Sequence, residues 1–436
     1  MTLRRALGPF DGTMIVIGGI IGSGIFINPY LVARALDTPL LVLSAWVAGG
    51  AIALAGAFAY AELGQRLPHA GGQYVYLREA WHPLAGFLYG WALLFMIETG
   101  AMAAVAITFA QYASRMVGGD GADPQFIAVG SILLLSAINY FGVKPGSRIL
   151  NVFVVLKVAA LGALVLFAWT GPAAPEWLSA SRVDDSPSTA LTFGVALIPI
   201  LFAYGGWQNA NYVAEEMRDP RRHLPISLIV GTLIVVVVYL LANVAYMRTL
   251  GLEGLAATET PAAEVASQWF GGMGERLIAG AIAISTFGFL NLAILAPTRV
   301  YFAMARDGAF LPALARVHPR YQSPAAAIML QSTWAILLTL TGTYGDLLNT
   351  VVFADWIFFG LTVAGLFVLR HRGSTDGFRT PLYPFLPAAF VLVAIAVVGS
   401  VIATDPWRSA AGAGLLVLGV PVYYFFTSRP KAPHAD

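Results

Sequence analysis

The chain has 436 residues, of which 58% are hydrophobic and only 11% charged, with a mean hydropathy of +0.74. Soluble domains run nearer about 45–50% apolar and about 25% charged, so lipid must be part of the solvent and a water-soluble fold is excluded. The net charge of +2, with no basic patch interleaved with aromatics, excludes a nucleic-acid partner. The absence of cysteine excludes disulfides, thiolate metal sites, a thiol nucleophile and any disulfide-linked partner chain.

A bilayer-spanning helix needs about 20 mostly apolar residues. Twelve segments meet that need: 10–35, 39–66, 82–116, 126–142, 147–170, 190–216, 224–250, 273–304, 324–343, 347–370, 382–403 and 408–427. They are too long for barrel strands, so the expected class is an all-α integral membrane protein. Residues 1–10 carry Arg4 and Arg5 but no cleavage signature, so the first segment reads as a retained helix. The connections at Asp120–Pro124, Pro172–Pro187 and Arg218–Pro225 hold charges and prolines. With the N-terminus inside, eighteen of the 25 Lys and Arg residues fall on the cytoplasmic side. Six fall outside (Arg34, Arg115, Arg182, Arg248, Arg276, Arg408), and Lys157 lies within a span. That bias places both termini in the cytoplasm.

The first and sixth segments do not read as plain helices. The first runs Ile17-Gly18-Gly19-Ile20-Ile21-Gly22-Ser23-Gly24-Ile25-Phe26, and each glycine weakens a helix by roughly 1 kcal/mol relative to alanine. The sixth runs Phe202-Ala203-Tyr204-Gly205-Gly206-Trp207, with Pro199 just before it. These are corresponding positions if segments 1–5 and 6–10 form two halves, and interrupted helices at matching places point to a transporter site. A break at mid-membrane frees backbone groups that are costly in lipid unless they line a cavity or hold a ligand. The helix N-terminus after a break suits a carboxylate and the carbonyls before it suit an ammonium. An amino acid carries both. The alternative reading, glycines for close helix packing, stays open for either run alone.

Lys157 and Glu98 stand out midway along spans, where a charge costs at least about 2.5 kcal/mol and is functional by default. Lys157 lies mid-way along the fifth segment, as a fixed cation or a proton carrier; snorkelling to an interface is the bland alternative. Glu98 lies mid-way along the third, as a proton carrier or a structural partner of a neighbouring helix. Glu62, Glu215 and Glu216 fall at cytoplasmic helix ends, where Arg66, Arg218 or Arg221 are the expected ion-pair partners. Tyr204, Trp207 and Trp356 are candidate aromatic lining. The six histidines lack metal-ligand spacing and no nucleotide-binding loop is present, so no metal, no cofactor and no ATP-driven step are expected.

Five stretches carry a family resemblance: GGIIGSGIF at 18–26, AYAELGQRLPHAGGQYVYLREAWHPLAGFLYGW at 59–91, FAYGGWQNANYVAEEMRDPRRHLP at 202–225, ARDGAFLPALARVHPRYQSPAAA at 305–327 and WIFFGLTVAGLFVLR at 356–370. Over nearly all of 8–372 the chain resembles the amino acid–polyamine–organocation superfamily, and within it the L-type amino acid transporter branch. The resemblance implies twelve transmembrane helices. They would form a five-plus-five inverted repeat, with helices 1 and 6 unwound at mid-membrane, and two peripheral helices. The implied units are 1–171, 172–372 and 373–436.

By motif match, the amides of Ser23, Gly24 and Ile25, beside Gly22, would bind the substrate carboxylate. The carbonyls of Ile20, Ile21, Phe202 and Ala203 would take its ammonium. Phe202 matches an aromatic gate over the substrate, with Tyr204 beside it, and Gly205 would leave room for the substrate side chain. Gln208 stands where several relatives carry Asn. Lys157 matches a lysine standing where sodium-coupled relatives hold sodium, with Ser285 and Thr286 as hydroxyl partners. Eukaryotic relatives bind a heavy chain through a cysteine that this chain lacks. The resemblance therefore implies a sodium-independent, non-enzymatic transporter of neutral L-amino acids, an exchanger before a proton symporter, while the small size, short termini and lack of cysteine point to a prokaryotic inner membrane. A non-transporting amino acid sensor on the same fold is the alternative from another class.

Overall fold

The computed structural model describes residues 5–117, 123–171, 173–174, 187–341, 344–373 and 377–428. Among them the chain is all-helical, apart from an isolated bridge between Leu7 and Met217. Most of the 172–187 connection and Asp120 lie outside the described residues.

Among the described residues, eight helices are long and apolar enough to cross a membrane. A ninth span is a bent pair: α1 (Pro9–Ile20) and α2 (Gly24–Ala35) meet at 43° across a three-residue break. Three shorter apolar helices, Pro124–Tyr140, Thr192–Ala203 and Ala325–Thr341, accompany them. The remaining elements that matter below, in chain order, are α3 (Pro39–Arg66), α4 (Gln73–Ala80), α5 (Pro83–Ala92), α6 (Glu98–Val117), α7 (Pro124–Tyr140), α8 (Val143–Thr170), α9 (Pro187–Ala203), α10 (Asn209–Tyr212) and α11 (Pro220–Ala257). They continue as α12 (Pro261–Phe270), α13 (Gly272–Leu295), α14 (Thr298–Arg306), α15 (Ala325–Thr341), α16 (Tyr344–Arg372), α17 (Phe385–Thr404) and α18 (Pro406–Thr427).

The helices differ in what surrounds them. Of the most apolar stretch of Pro83–Ser114, 78% is buried inside the protein, against 28% for α17 and 17% for α18. The long apolar side chains of the outer helices therefore face outward, as Leu392, Ile395, Val417 and Leu418 do, which is the arrangement a lipid solvent rewards. In lipid the helices gain nothing from excluding water, so close packing must hold them together. Helix α3 does this with small residues. Its Gly50 lies against Val236 of α11, and its Gly56 against Trp207 and Phe390.

Three more spans depart from a continuous helix, the first of them where its glycines predict a break. The 190–216 segment is helical only to Ala203, then turns through 204–208 before the single turn of α10. The third span widens to a π-turn at Leu93–Ile97, between α5 and α6. The eighth breaks between Leu295 and Thr298, at Pro297, whose ring lacks the N–H a helix needs. In contrast, Pro220 is the first residue of α11, where a missing N–H costs little, while Pro225 lies inside that helix.

Candidate functional site

The two broken spans cross at their breaks. After Ile20 the chain turns through Ile21–Ser23, and α2 opens with the amides of Gly24 and Ile25 unpaired within the helix. After Ala203, Gly205 N–H donates to Phe202 O at 3.1 Å, and Gly206 takes φ +106, which glycine tolerates and other residues do not. A Cβ on either Gly19 or Gly206 would collide with the other residue's carbonyl, so the breaks touch backbone to backbone. Gln208 folds back here: its Oε1 accepts from Gly206 N–H at 3.0 Å.

Groups from three other helices tie the breaks down. From α11, the Tyr239 hydroxyl lies 3.0 Å from Ile20 O and 3.2 Å from Ala203 O, reaching the last carbonyl of each broken helix. Its ring packs against Tyr204 and Trp46. From α8, the Lys157 ammonium is fully buried and donates to Gly18 O at 3.1 Å and to Ile21 O. From α13, Ser285 Oγ donates to Gly22 O at 3.1 Å. The freed carbonyls of the first break are thus met by a cation and two hydroxyls. Thr286, expected beside Ser285, instead bonds Ile282 O and Ala283 O of its own helix.

A cavity of about 100 Å³ opens beside the breaks. Of the sequence-derived candidates, Ile20, Gly22, Ser23, Gly24, Phe202, Ala203, Gly205, Gln208 and Glu98 line it; Ile21, Ile25 and Tyr204 do not. Trp356 lines it, while Trp207 faces the neighbouring side toward Phe359 and Tyr60. The far wall comes from α6 (Ala101, Ala104, Val105), α13 (Phe289) and α16 (Val351, Asp355, Phe359). Asp355 is the lining residue that sequence reasoning missed. It is an acid inside the apolar stretch 347–370, and the rule that singled out Glu98 and Lys157 would have found it.

Toward the Arg-rich end the structure builds a layer of ion pairs. Buried Glu62 binds Arg66 at 2.9 Å and Arg370 at 2.6 Å and accepts from Thr380 N–H at 2.7 Å. Glu216 and Arg299, both buried, pair at 2.7 Å, and Glu215 meets Arg306 at 3.2 Å. The partners of Glu215 and Glu216 are therefore on α14, across the fold, rather than the nearby Arg218 or Arg221. Arg78 pairs with Asp307, which also accepts from the Tyr74 hydroxyl at 2.8 Å. Burial first, and the Asp307 charge second, push the Tyr74 phenol up from its ordinary value, so it remains a donor. The segment before α1 is pinned to the same layer, with Ala6 and Leu7 donating to Glu216 O.

Two broken helices that meet beside a cavity, with backbone groups of both signs at hand, make a site of the kind that suits a small zwitterion. The family model for the amino acid permeases matches residues 7–423, and the chain belongs to that family, in the amino acid–polyamine–organocation superfamily. Its relatives are transporters, not enzymes. It is 31% identical over 433 residues to the serine/threonine exchanger SteT of Bacillus subtilis (strain 168), covering 98% of each chain. It is 30% identical to the large neutral amino acids transporter small subunit 2 of Homo sapiens, over 99% of this chain and 82% of that one. To the human b(0,+)-type amino acid transporter 1 it is 29% identical, over 97% and 88%. It is thus an L-type-like, multi-pass membrane protein, and without cysteine it forms no disulfide with a second subunit.

Proposed function

We propose that the protein is a sodium-independent secondary transporter that exchanges neutral L-amino acids by alternating access across a bacterial inner membrane. The observation that carries this reading is the crossing of the two helix breaks beside the cavity. Ser23 and Gly24, which line it, offer amides to a carboxylate, with Ile25 next in the chain, and the carbonyls of Ile20, Phe202 and Ala203 would each give an ammonium a second lone pair beside the one already hydrogen-bonded. Among the described residues no Lys, Arg or His lines the cavity, and Ile97, Val105, Leu201, Phe289 and Val351 give it apolar walls suited to a neutral side chain.

Sodium independence follows from Lys157. Its ammonium occupies the carbonyls of Gly18 and Ile21, where a bound cation would otherwise stand. The scheme has residues 1–171 and 172–372 as inverted repeats of five helices, with 373–436 peripheral and both termini cytoplasmic. The buried ion pairs of Glu62 and Glu216 belong to the gate at the cytoplasmic end.

The test is uptake of labelled neutral amino acids into liposomes carrying the purified protein. Uptake that requires unlabelled amino acid in the lumen, and is indifferent to sodium, supports exchange. Uptake into empty vesicles driven by an inward proton gradient would replace exchange with symport. Binding without flux under any condition would remove the transporter reading.

A further inference from the structure

The cavity holds two carboxylates that the zwitterion-binding scheme leaves unused. Glu98, 6% exposed, and Asp355 both line it, and neither Glu98 Oε1 nor Asp355 Oδ1 has a hydrogen-bond partner among the described residues. They come from different helices, α6 and α16. Among the described residues, no basic side chain lines the cavity to compensate them.

The local backbone is shaped around Glu98. The π-turn Leu93–Ile97 ends at Glu98, whose N–H bonds Leu93 O, five residues back. Thr99 Oγ donates to Leu94 O at 2.6 Å, meeting a carbonyl that the wide turn leaves over. A π-turn inserts one residue, and at 3.6 residues per turn that rotates the rest of the helix by about 100°. Here it puts Glu98 on the face of Ala101 and Val105, which line the same cavity. Ala101 and Ala104 line the same cavity with nothing larger than a methyl. A helix distortion and two acids with an unpartnered oxygen each in one cavity are a costly combination, because a buried polar atom without a hydrogen bond is unfavourable. It becomes favourable when a cation enters.

We propose that Glu98 and Asp355 form a subsite for the positively charged end of a substrate side chain, so that the cavity takes dibasic amino acids such as lysine or ornithine in addition to neutral ones. The α-carboxylate and α-ammonium sit at the helix breaks, and the side-chain ammonium or guanidinium lies between the two acids on the opposite wall. This deepens the transporter reading and rests on it.

The experiment compares lysine with norleucine, which has the same carbon chain without the ammonium, as competitors of labelled neutral amino acid exchange in liposomes. Lysine is expected to inhibit at a concentration at least about tenfold lower than norleucine, a difference of about 1.4 kcal/mol. In Glu98→Gln and Asp355→Asn the two competitors should come within about threefold of one another, whatever the absolute rate. Norleucine matching or exceeding lysine in the unmodified protein overturns the proposal. So does a lysine preference that survives both substitutions. Neutral uptake driven by an inward proton gradient and abolished in Glu98→Gln would give the site to a proton instead, also overturning it. Should exchange itself be absent, the transporter reading fails separately. The subsite is then judged by thermal stabilisation of the detergent-solubilised protein, where lysine must raise the midpoint more than norleucine.

Discussion

Gly19 and Gly206 face each other backbone to backbone, each occupying the space where the other's Cβ would sit. One belongs to the first broken span and the other to the second, so their contact sets how closely the two halves of the site approach.

The contact predicts that Gly19→Ala and Gly206→Ala are both severe, because the obstacle is a carbonyl on backbone that cannot step aside. A loss of about 1–3 kcal/mol from overpacking is expected for Gly19→Ala, and more for Gly206→Ala, whose φ of +106 adds strain. Gly399→Ala is the control, with no atom within 4 Å of its Cβ. It should hold or gain stability, by about 0.5–1 kcal/mol. Thermal unfolding in detergent, read beside exchange in liposomes, checks all three.

Removing the cation at the first break should be as damaging to function. In Lys157→Met the carbonyls of Gly18 and Ile21 lose a buried donor, a cost of about 1–3 kcal/mol. Exchange should fall at least tenfold. Because methionine fills the volume and brings no charge, added sodium should not restore the rate; restoration by sodium would show that the site takes either cation.

Tyr239→Phe isolates a single hydroxyl. It removes the group shared by Ile20 O and Ala203 O while keeping the ring against Trp46 and Tyr204. Stability should drop by about 0.5–1.5 kcal/mol. The exchange rate should fall more than apparent affinity, since the hydroxyl joins two moving helices and does not line the cavity. A change confined to affinity would place Tyr239 in direct contact with substrate.

The Glu216–Arg299 pair offers a double-mutant test. Both side chains are buried, so Arg299→Met alone strands a carboxylate and should cost about 3–5 kcal/mol. Adding Glu216→Gln should recover a substantial part of that. A double variant as unstable as the single one would mean that Arg299 acts through its bonds to Leu295 O and Thr298 rather than through Glu216.

What the sequence determined by itself is whatever depends on local composition. Apolar run length forces helices into lipid, because no other open structure there satisfies its own backbone. The glycine runs at 18–24 and 205–206 mark the breaks, because glycine weakens a helix wherever it stands. The intramembrane positions of Glu98 and Lys157 were visible for the same reason, and Asp355 was equally visible to the same rule, though overlooked. Tertiary structure decided the pairings. Arg299 and Arg370 lie 83 and 308 residues from the acids they bind; proximity in the chain finds Arg66 for Glu62 but points Glu215 and Glu216 to Arg218 and Arg221 instead of α14. Tyr239 carried no signal at all, since a lone tyrosine on a lipid-soluble helix is ordinary until two broken helices end on its hydroxyl. Gln208 turned inward to Gly206 because the break left an N–H that had to find an acceptor somewhere, and only the folded geometry settles which one is in reach.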